Sequence, residues 1–159
     1  EIPVSTVEFV AQKVYERKNR VILNPAPARQ LSNDLLTCID IITPNEVEAE
    51  ILTGIKVIDA ASAEEAAEKL RSTGVKNVII TMGAAGAFLL TDKVSKLIPV
   101  VPVRAVDTTA AGDVFNGALA VAISEGKDLE EAVVFANKAA SISVTRKGAQ
   151  ASAPYRKEI

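Results

Sequence analysis

Residues 107–113 read Asp-Thr-Thr-Ala-Ala-Gly-Asp, and Val114, Phe115, Ala118, Leu119 and Ala122 follow at helical spacing. These small residues therefore stand where a helix begins. A helix N-terminus offers N–H groups that no preceding carbonyl satisfies, together with the positive end of the macrodipole. Side chains no larger than a methyl let an anion come close to that backbone, so the stretch reads as a phosphate cradle. A carboxylate in the first turn, Asp113, would repel a phosphate that was merely bound. It makes chemical sense if it accepts the proton of an attacking hydroxyl while the N–H groups hold charge on a transferred phosphoryl group. The plainer alternative is an acid that only complements the helix dipole, with the alanines packing.

Two further groupings carry potential chemistry. Asn45-x-x-Glu48 follows a short apolar run, where an open parallel sheet places its ligand crevice. An amide and a carboxylate there could hold a hydrated Mg²⁺, which prefers oxygen ligands and keeps its waters. Equally, Asn45 is a natural N-cap and Glu48 a natural first-turn acid. Thr81-Met82-Gly83-Ala84-Ala85-Gly86 ends another apolar run with two glycines three apart, a turn of low specificity. It lacks the Lys-Ser/Thr of a phosphate-binding P-loop and the third glycine of a dinucleotide fingerprint.

What the composition removes is as informative. The chain has no histidine and a single cysteine. Ser–His and Cys–His nucleophilic pairs, His-ligated zinc, thiolate metal clusters and internal disulfides are thereby excluded. Cys38, flanked by Leu35, Leu36 and Ile39, reads as a small core residue. A net charge of −2 with scattered Lys and Arg gives nothing to meet a polyphosphate backbone, so no nucleic-acid partner is expected. No apolar run approaches the ~20 residues of a membrane helix, and no basic-then-apolar leader opens the chain, so no membrane partner and a cytoplasmic location are expected.

The elements that must position these residues follow from periodicity. Ser5 and Glu8 have the spacing of a capping box before a helix carrying Val7, Val10, Ala11 and Val14. Val21–Leu23 and Ile39–Ile42 read as buried strands ended by Asn24-Pro25 and Thr43-Pro44. A short helix is expected over 45–52 with Gly54 as its stop, and a longer one after a Ser62–Glu65 box, stopped at Gly74. Val78–Ile80 reads as a third buried strand, and 87–90 with 97–101 as a hairpin about Asp92-Lys93. Two alanine-rich helices, 110–125 and 128 to about 144, and a polar loop complete the chain. Strands without polar alternation, interleaved with helices, indicate an α/β fold with a mostly parallel sheet covered on both faces. At 159 residues with 48% hydrophobic content and no internal linker, 1–159 is expected to form a single domain.

The 107–113 string, with Leu23-Asn24-Pro25-Ala26-Pro27-Ala28, Ile41-Ile42-Thr43-Pro44-Asn45-Glu46 and Val144-Thr145-Arg146-Lys147-Gly148-Ala149-Gln150 in the same order, resembles the ribokinase family of phosphofructokinase-B-like carbohydrate kinases. The resemblance covers essentially the whole chain. It implies a ribokinase-like three-layer sandwich and transfer of the γ-phosphate of ATP to a sugar hydroxyl, D-ribose first among candidates. It also implies Asp113 as the general base, in contact with the sugar, and the N–H groups of Ala110, Ala111, Gly112 and Asp113 as the anion hole. Many relatives in the wider group have glycine where Ala110 stands. Asn45 and Glu48 would organise Mg²⁺ and the triphosphate, with Thr81, Gly83, Ala84, Ala85 and Gly86 along the nucleotide. Asn137 matches a position near the adenine; on residue type alone it is equally a polar position on a helix surface. Asp107, Thr109, Ser143, Arg146, Gly148 and Ser152 match the surroundings of an activating monovalent cation, K⁺, bound largely through backbone carbonyls.

Glu1 matches a family glutamate that contacts the sugar. The glycine-rich sugar-recognition segment and the small lid sheet of the family have no counterpart in these residues. The resemblance therefore implies the ATP-binding, C-terminal half of a unit of ~300 residues. An unpaired strand edge and uncovered apolar faces would then favour association with the other half or as a homo-oligomer, and inactivity in isolation. Of the other function classes, a non-catalytic nucleotide-binding module keeps the cradle but has no proton to remove. A dinucleotide-dependent oxidoreductase is disfavoured by the incomplete glycine pattern.

Overall fold

A computed structural model describes residues 2–159, so Glu1 lies outside the described residues. The described residues form two compact units, one of residues 2–82 and 88–97, the other of 83–87 and 98–159.

In the first unit, helix α1 (Val4–Glu16) starts two residues earlier than the Ser5–Glu8 spacing predicts. Pro3 precedes it at φ −55°, an angle that its ring already fixes near the helical value. Glu8 does not close a box but accepts a hydrogen bond from Ser32 Oγ at 2.7 Å. Strand β1 (Ile22–Leu23), the five-residue helix α2 (Asn33–Thr37) and strand β2 (Ile41–Ile42) follow. Ser32 caps α2 by accepting from the Leu35 N–H. Leu35 and Leu36 are buried, whereas Cys38 is half-buried and packs at the edge of the core.

Helix α3 (Glu46–Thr53) is bounded as its sequence predicts, by Asn45 at the N-cap and by Gly54 at φ 75°, which ends it in the left-handed conformation glycine adopts freely. Helix α4 (Ala60–Ser72) begins one turn before the expected Ser62–Glu65 box. Asp59 is the cap and Ser62 fills the third helical position, closing a reciprocal Asp-x-x-Ser box. Strand β3 (Asn77–Thr81) and strands β4 (Ala87–Leu90) and β5 (Ser95–Ile98) complete the sheet, β5 lying two to three residues ahead of the expected second hairpin strand.

The sheet runs β1-β2-β3-β4-β5, strictly in chain order. β1 and β2 are parallel, as are β2 and β3, with Ile22 beside Ile41 and Ile41 beside Asn77. The parallel strands place their C-terminal ends together, as the crossover helices require. Ile39, Ile42, Ala49, Ala66, Val78 and Ile80 are fully buried in one apolar cluster. Asp40 secures the opposite end of the strands: its carboxylate accepts from the Val21 N–H at 2.8 Å and from Lys76 Nζ at 2.6 Å. That hydrogen bond raises the Lys76 pKa above its ordinary value.

The second unit is built on two helices, α5 (Ala111–Ser124) and α6 (Leu129–Ser143). Phe115, Leu119 and Ala122 of α5 and Ala132, Val133, Ala136 and Ala139 of α6 are buried. Alanines on the inner faces let two helix backbones approach closely, and a buried Phe115 contributes about 2–3 kcal/mol of apolar transfer. Asp128 caps α6 by accepting from the Glu131 N–H at 2.8 Å. The segment after α6, expected as plain loop, holds two single 3₁₀ turns, Gln150–Ser152 and Arg156–Glu158. Arg156 anchors it by pairing with Glu125 at 2.7 Å and lying over the Phe135 ring at 4.4 Å.

Candidate active site

Asn45, Glu48 and Thr81 belong to the first unit; the other candidates among the described residues belong to the second. Thr81 ends β3 and forms an isolated parallel bridge with Asn45, its N–H donating to Pro44 O at 2.9 Å. The first turn of α3 therefore starts at the C-terminal end of the strands, where an open parallel sheet holds ligands. Asn45 Oδ1 accepts from the Glu48 N–H at 2.8 Å, and Glu48 Oε2 accepts from the Asn45 N–H at 2.9 Å. This reciprocal box fixes both side chains and occupies one oxygen of each. One carboxylate oxygen of Glu48 remains to face a cation. Among the described residues no group of three or more His, Cys, Asp or Glu side chains could hold a metal. The donor set thus fits Mg²⁺ held through its own waters and bound phosphates, not a cage of protein ligands.

Sequence reasoning gave no role to Asn24. Its Nδ2 donates to Thr43 O at 3.0 Å, tying the end of β1 to the residue pair that leads into Asn45. The signal was present in Asn24-Pro25, a polar residue and a strand breaker directly after an apolar run.

In the second unit α5 begins within the small-residue stretch, while the Ala111 N–H, expected to belong to the anion hole, is already engaged by a backbone carbonyl. Ala110 is the N-cap of α5 and has φ 61° and ψ 13°. It is one of two non-glycine residues with positive φ among the described residues. Only a residue without Cβ adopts that angle at no steric cost. The Ala111 N–H closes a turn onto Thr108 O at 3.2 Å, and the Val114 N–H bonds Ala110 O at 2.9 Å. Between them, the N–H groups of Gly112 and Asp113 have no protein acceptor among the described residues. A Cβ built on Gly112 would meet nothing within 4 Å, so the space beside its Cα is open. Asp113 is exposed in that first turn.

Asp107 holds the lead-in to this turn. Its Oδ1 accepts from the Thr109 N–H and its Oδ2 from the Gly148 N–H, both at 2.9 Å. The Val106 and Asp107 N–H groups both donate to Val144 O, at 2.7 and 3.1 Å. The segment before α5 is thereby joined to the segment after α6. The bond from the Gly148 N–H, then those from Thr109, hold the Asp107 carboxyl well below its ordinary value, to about 2. Both carboxylate oxygens are occupied, and Arg146 turns its guanidinium to Glu158. Ser143 and Ser152 are buried, and their hydroxyls donate to Ala140 O and Ala149 O. What these six residues can offer a cation is carbonyl and hydroxyl lone pairs, which suits a large, weakly hydrated monovalent ion.

Gly83–Ala85 forms a 3₁₀ turn, with Gly83 at φ 50° and Gly86 at φ 107°. A Cβ on Gly86 would stand 2.2 Å from Ile98 O, so glycine is required there by a close backbone approach. Asn137 is not a surface position: it is 7% exposed, and its Nδ2 donates to the same Ile98 O at 3.0 Å.

The first unit thus sets polar groups at the ends of parallel strands, and the second carries an exposed carboxylate in the first turn of a helix that begins with small residues. Residues 1–156 match the model of the pfkB family carbohydrate kinases, and the chain belongs to that family. It is 51% identical over 158 residues to a ribokinase of Haemophilus influenzae, covering 99% of this chain and 52% of that protein. Among solved structures it is similar to Arabidopsis thaliana ribokinase complexed with ribose and ATP, with 39% identity, a TM-score of 0.93 and coverage of 99% of this chain and 51% of the other. It is also similar to ribokinase of Thermotoga maritima, with 48% identity, a TM-score of 0.83 and coverage of 92% and 50%. The chain thus spans about half the length of the relatives it matches.

Proposed function

We propose that this chain supplies the nucleotide-binding and catalytic part of an ATP-dependent sugar kinase, with D-ribose as acceptor and ribose 5-phosphate as product. The observation that carries the reading is the exposed Asp113 carboxylate in the first turn of α5, beside the N–H groups of Gly112 and Asp113, which have no protein acceptor among the described residues. The high identity to ribokinases supports the choice of ribose.

Asp113 accepts the proton of the attacking sugar hydroxyl. The hydroxyl oxygen forms its bond to the γ-phosphorus as the bond to the β,γ-bridging oxygen breaks, and ADP leaves with that electron pair. The N–H groups of Gly112 and Asp113 hold the negative charge of the phosphoryl group in flight, with the turn at Ala110 and Ala111 setting their direction. Thr81 and the 83–86 turn, including Ala84 and Ala85, lie along the nucleotide. Asn45 and Glu48 would hold Mg²⁺ through its waters, where it would neutralise phosphate charge. Asp107, Thr109, Ser143, Arg146, Gly148 and Ser152 would surround K⁺ and stabilise the two segments that meet at Asp107.

The test is phosphoryl transfer from ATP to a panel of sugars by the intact protein, in K⁺ against Na⁺, for the native sequence and Asp113→Asn. Loss of a general base is expected to lower turnover by about 10²–10⁴-fold while nucleotide binding persists. Unchanged turnover in Asp113→Asn would remove the assigned mechanism, and inactivity on ribose with activity on another sugar would move the substrate.

A further inference from the structure

The segment that follows α6 carries two positive side chains, Arg146 and Lys147, side by side between Ser143 and Gly148. A cation taken up there by carbonyl and hydroxyl oxygens would be opposed by both of them. Lys147 is exposed, so water and salt screen its charge. Arg146 is only half-exposed, and its charge is met from twelve residues further along the chain. Its Nη2 donates to Glu158 Oε1 at 2.5 Å, and its Nη1 donates to Oε2 at 3.5 Å, the two-pronged approach of a guanidinium to a carboxylate. Oε2 also accepts from the Tyr155 N–H at 2.7 Å, at the start of the 3₁₀ turn Arg156–Glu158. The backbone of that turn therefore aims the carboxylate, and the guanidinium comes to it. Arg156 does not compete for Glu158, because its own guanidinium pairs with Glu125 at 2.7 Å.

Resting on the K⁺ reading above, we propose that Glu158 is a positioning residue for the monovalent-cation site: it holds the Arg146 guanidinium and cancels its charge, so that the oxygens of the 143–152 segment attract a cation unopposed. An arginine guanidinium stands at most about 7 Å from its own Cα, five bonds of roughly 1.5 Å each. That reach is inside the screening length of about 8 Å at physiological salt. The charge is therefore felt at the Arg146 carbonyl whichever way the side chain points. The pair itself, with side chains 36% and 30% exposed, adds little to folding stability. Its influence on a neighbouring ion has a sign, and the sign separates charge cancellation from a mere mechanical tie.

The test measures the K⁺ concentration that half-saturates the rise in melting temperature of the intact protein, with choline chloride holding the ionic strength constant. Glu158→Gln keeps the shape and still offers an oxygen to the Tyr155 N–H, but it leaves the Arg146 charge uncancelled. K⁺ binding should weaken by about two- to fivefold. Arg146→Met leaves the Glu158 charge uncancelled instead, so binding should tighten by a similar factor, and the double variant should return close to the native value. Raising the ionic strength should shrink both effects. If both single variants weaken K⁺ binding, the pair is a tie that shapes the loop and the proposal falls. It falls equally if neither variant changes the affinity. Should Glu158→Gln not fold, Arg146→Met alone carries the test, since losing a tie does not strengthen binding. A native protein whose melting temperature rises no more with K⁺ than with Na⁺ is a different result, and it removes the K⁺ reading itself.

Discussion

Replacing Ala110 by glycine should make the protein more stable, an unusual direction for a substitution that removes a methyl group. Ala110 is held at φ 61°, ψ 13°. For an L-residue with a Cβ that region costs about 1–2 kcal/mol, because the side chain crowds the backbone carbonyl. Glycine removes this cost but frees the unfolded chain, which returns about 0.4–1 kcal/mol. The difference leaves Ala110→Gly stabilising by roughly 0.5–1 kcal/mol. With a urea slope of about 2 kcal/mol per molar, the midpoint should rise by about 0.4 M. Ala110→Val makes the converse test, since a β-branched side chain at positive φ is a severe outlier and should lower the midpoint by more than the glycine raises it. Urea unfolding of the intact protein followed by circular dichroism orders the three. A glycine variant equal to or below the native protein, or a valine variant indistinguishable from it, would show that Ala110 is not strained and that the turn owes its shape to something else.

At the other end of the strands, Asp40→Ala should cost about 2 kcal/mol, because it removes a carboxylate that receives the Val21 N–H, whereas Lys76→Met should cost under about 1 kcal/mol, its side chain being 57% exposed and its ion pair screened. Equal losses in urea midpoint would place the stabilisation in the ion pair instead. Asp59 has its pKa lowered, first by the Ser62 hydroxyl and then by the Ser62 N–H, so its folded value lies below the ordinary 3.8. Its contribution is therefore present above pH 3.8 and lost as pH falls through the lowered value. Asp59→Ala should lower the melting temperature at pH 7, with the gap to the native protein closing in acid; a gap independent of pH would assign the effect to helix propensity alone.

The parts of the fold that could be read ahead of the structure are those fixed by neighbours in the chain. Ile22 and Leu23, Ile41 and Ile42, and Asn77–Thr81 lie in or beside apolar runs closed by breakers or glycine, and Asn45 with Gly54 bounds α3 by local hydrogen bonds alone. Where two local solutions competed, spacing misled. Ser62–Glu65 has the familiar box pattern, yet Asp59 three residues earlier makes a reciprocal box with Ser62, and the helix gains a turn. Helix α2 escaped notice because five residues are too few to show a period. Within the candidate site, the helix start at 110–113 was legible because a helix terminus is a local object. The need for glycine at 86 and the burial of Asn137 were not, since both come from Ile98, a residue 12 and 39 positions away in the chain.

The strand order of the sheet has a bearing on how the chain acquires its structure. Because each strand from β1 to β5 neighbours the one made just before it, no strand must wait for a partner synthesised later. Synthesis proceeds at about 5–20 residues per second, so each crossover of this length emerges within seconds of the strand it follows. The growing sheet can add one strand at a time in the order of translation, keeping its newest edge exposed only until the next arrives. Ribosome pausing within the first unit should therefore be tolerated, since every pause between strands leaves a sheet that is shorter but already in its final register.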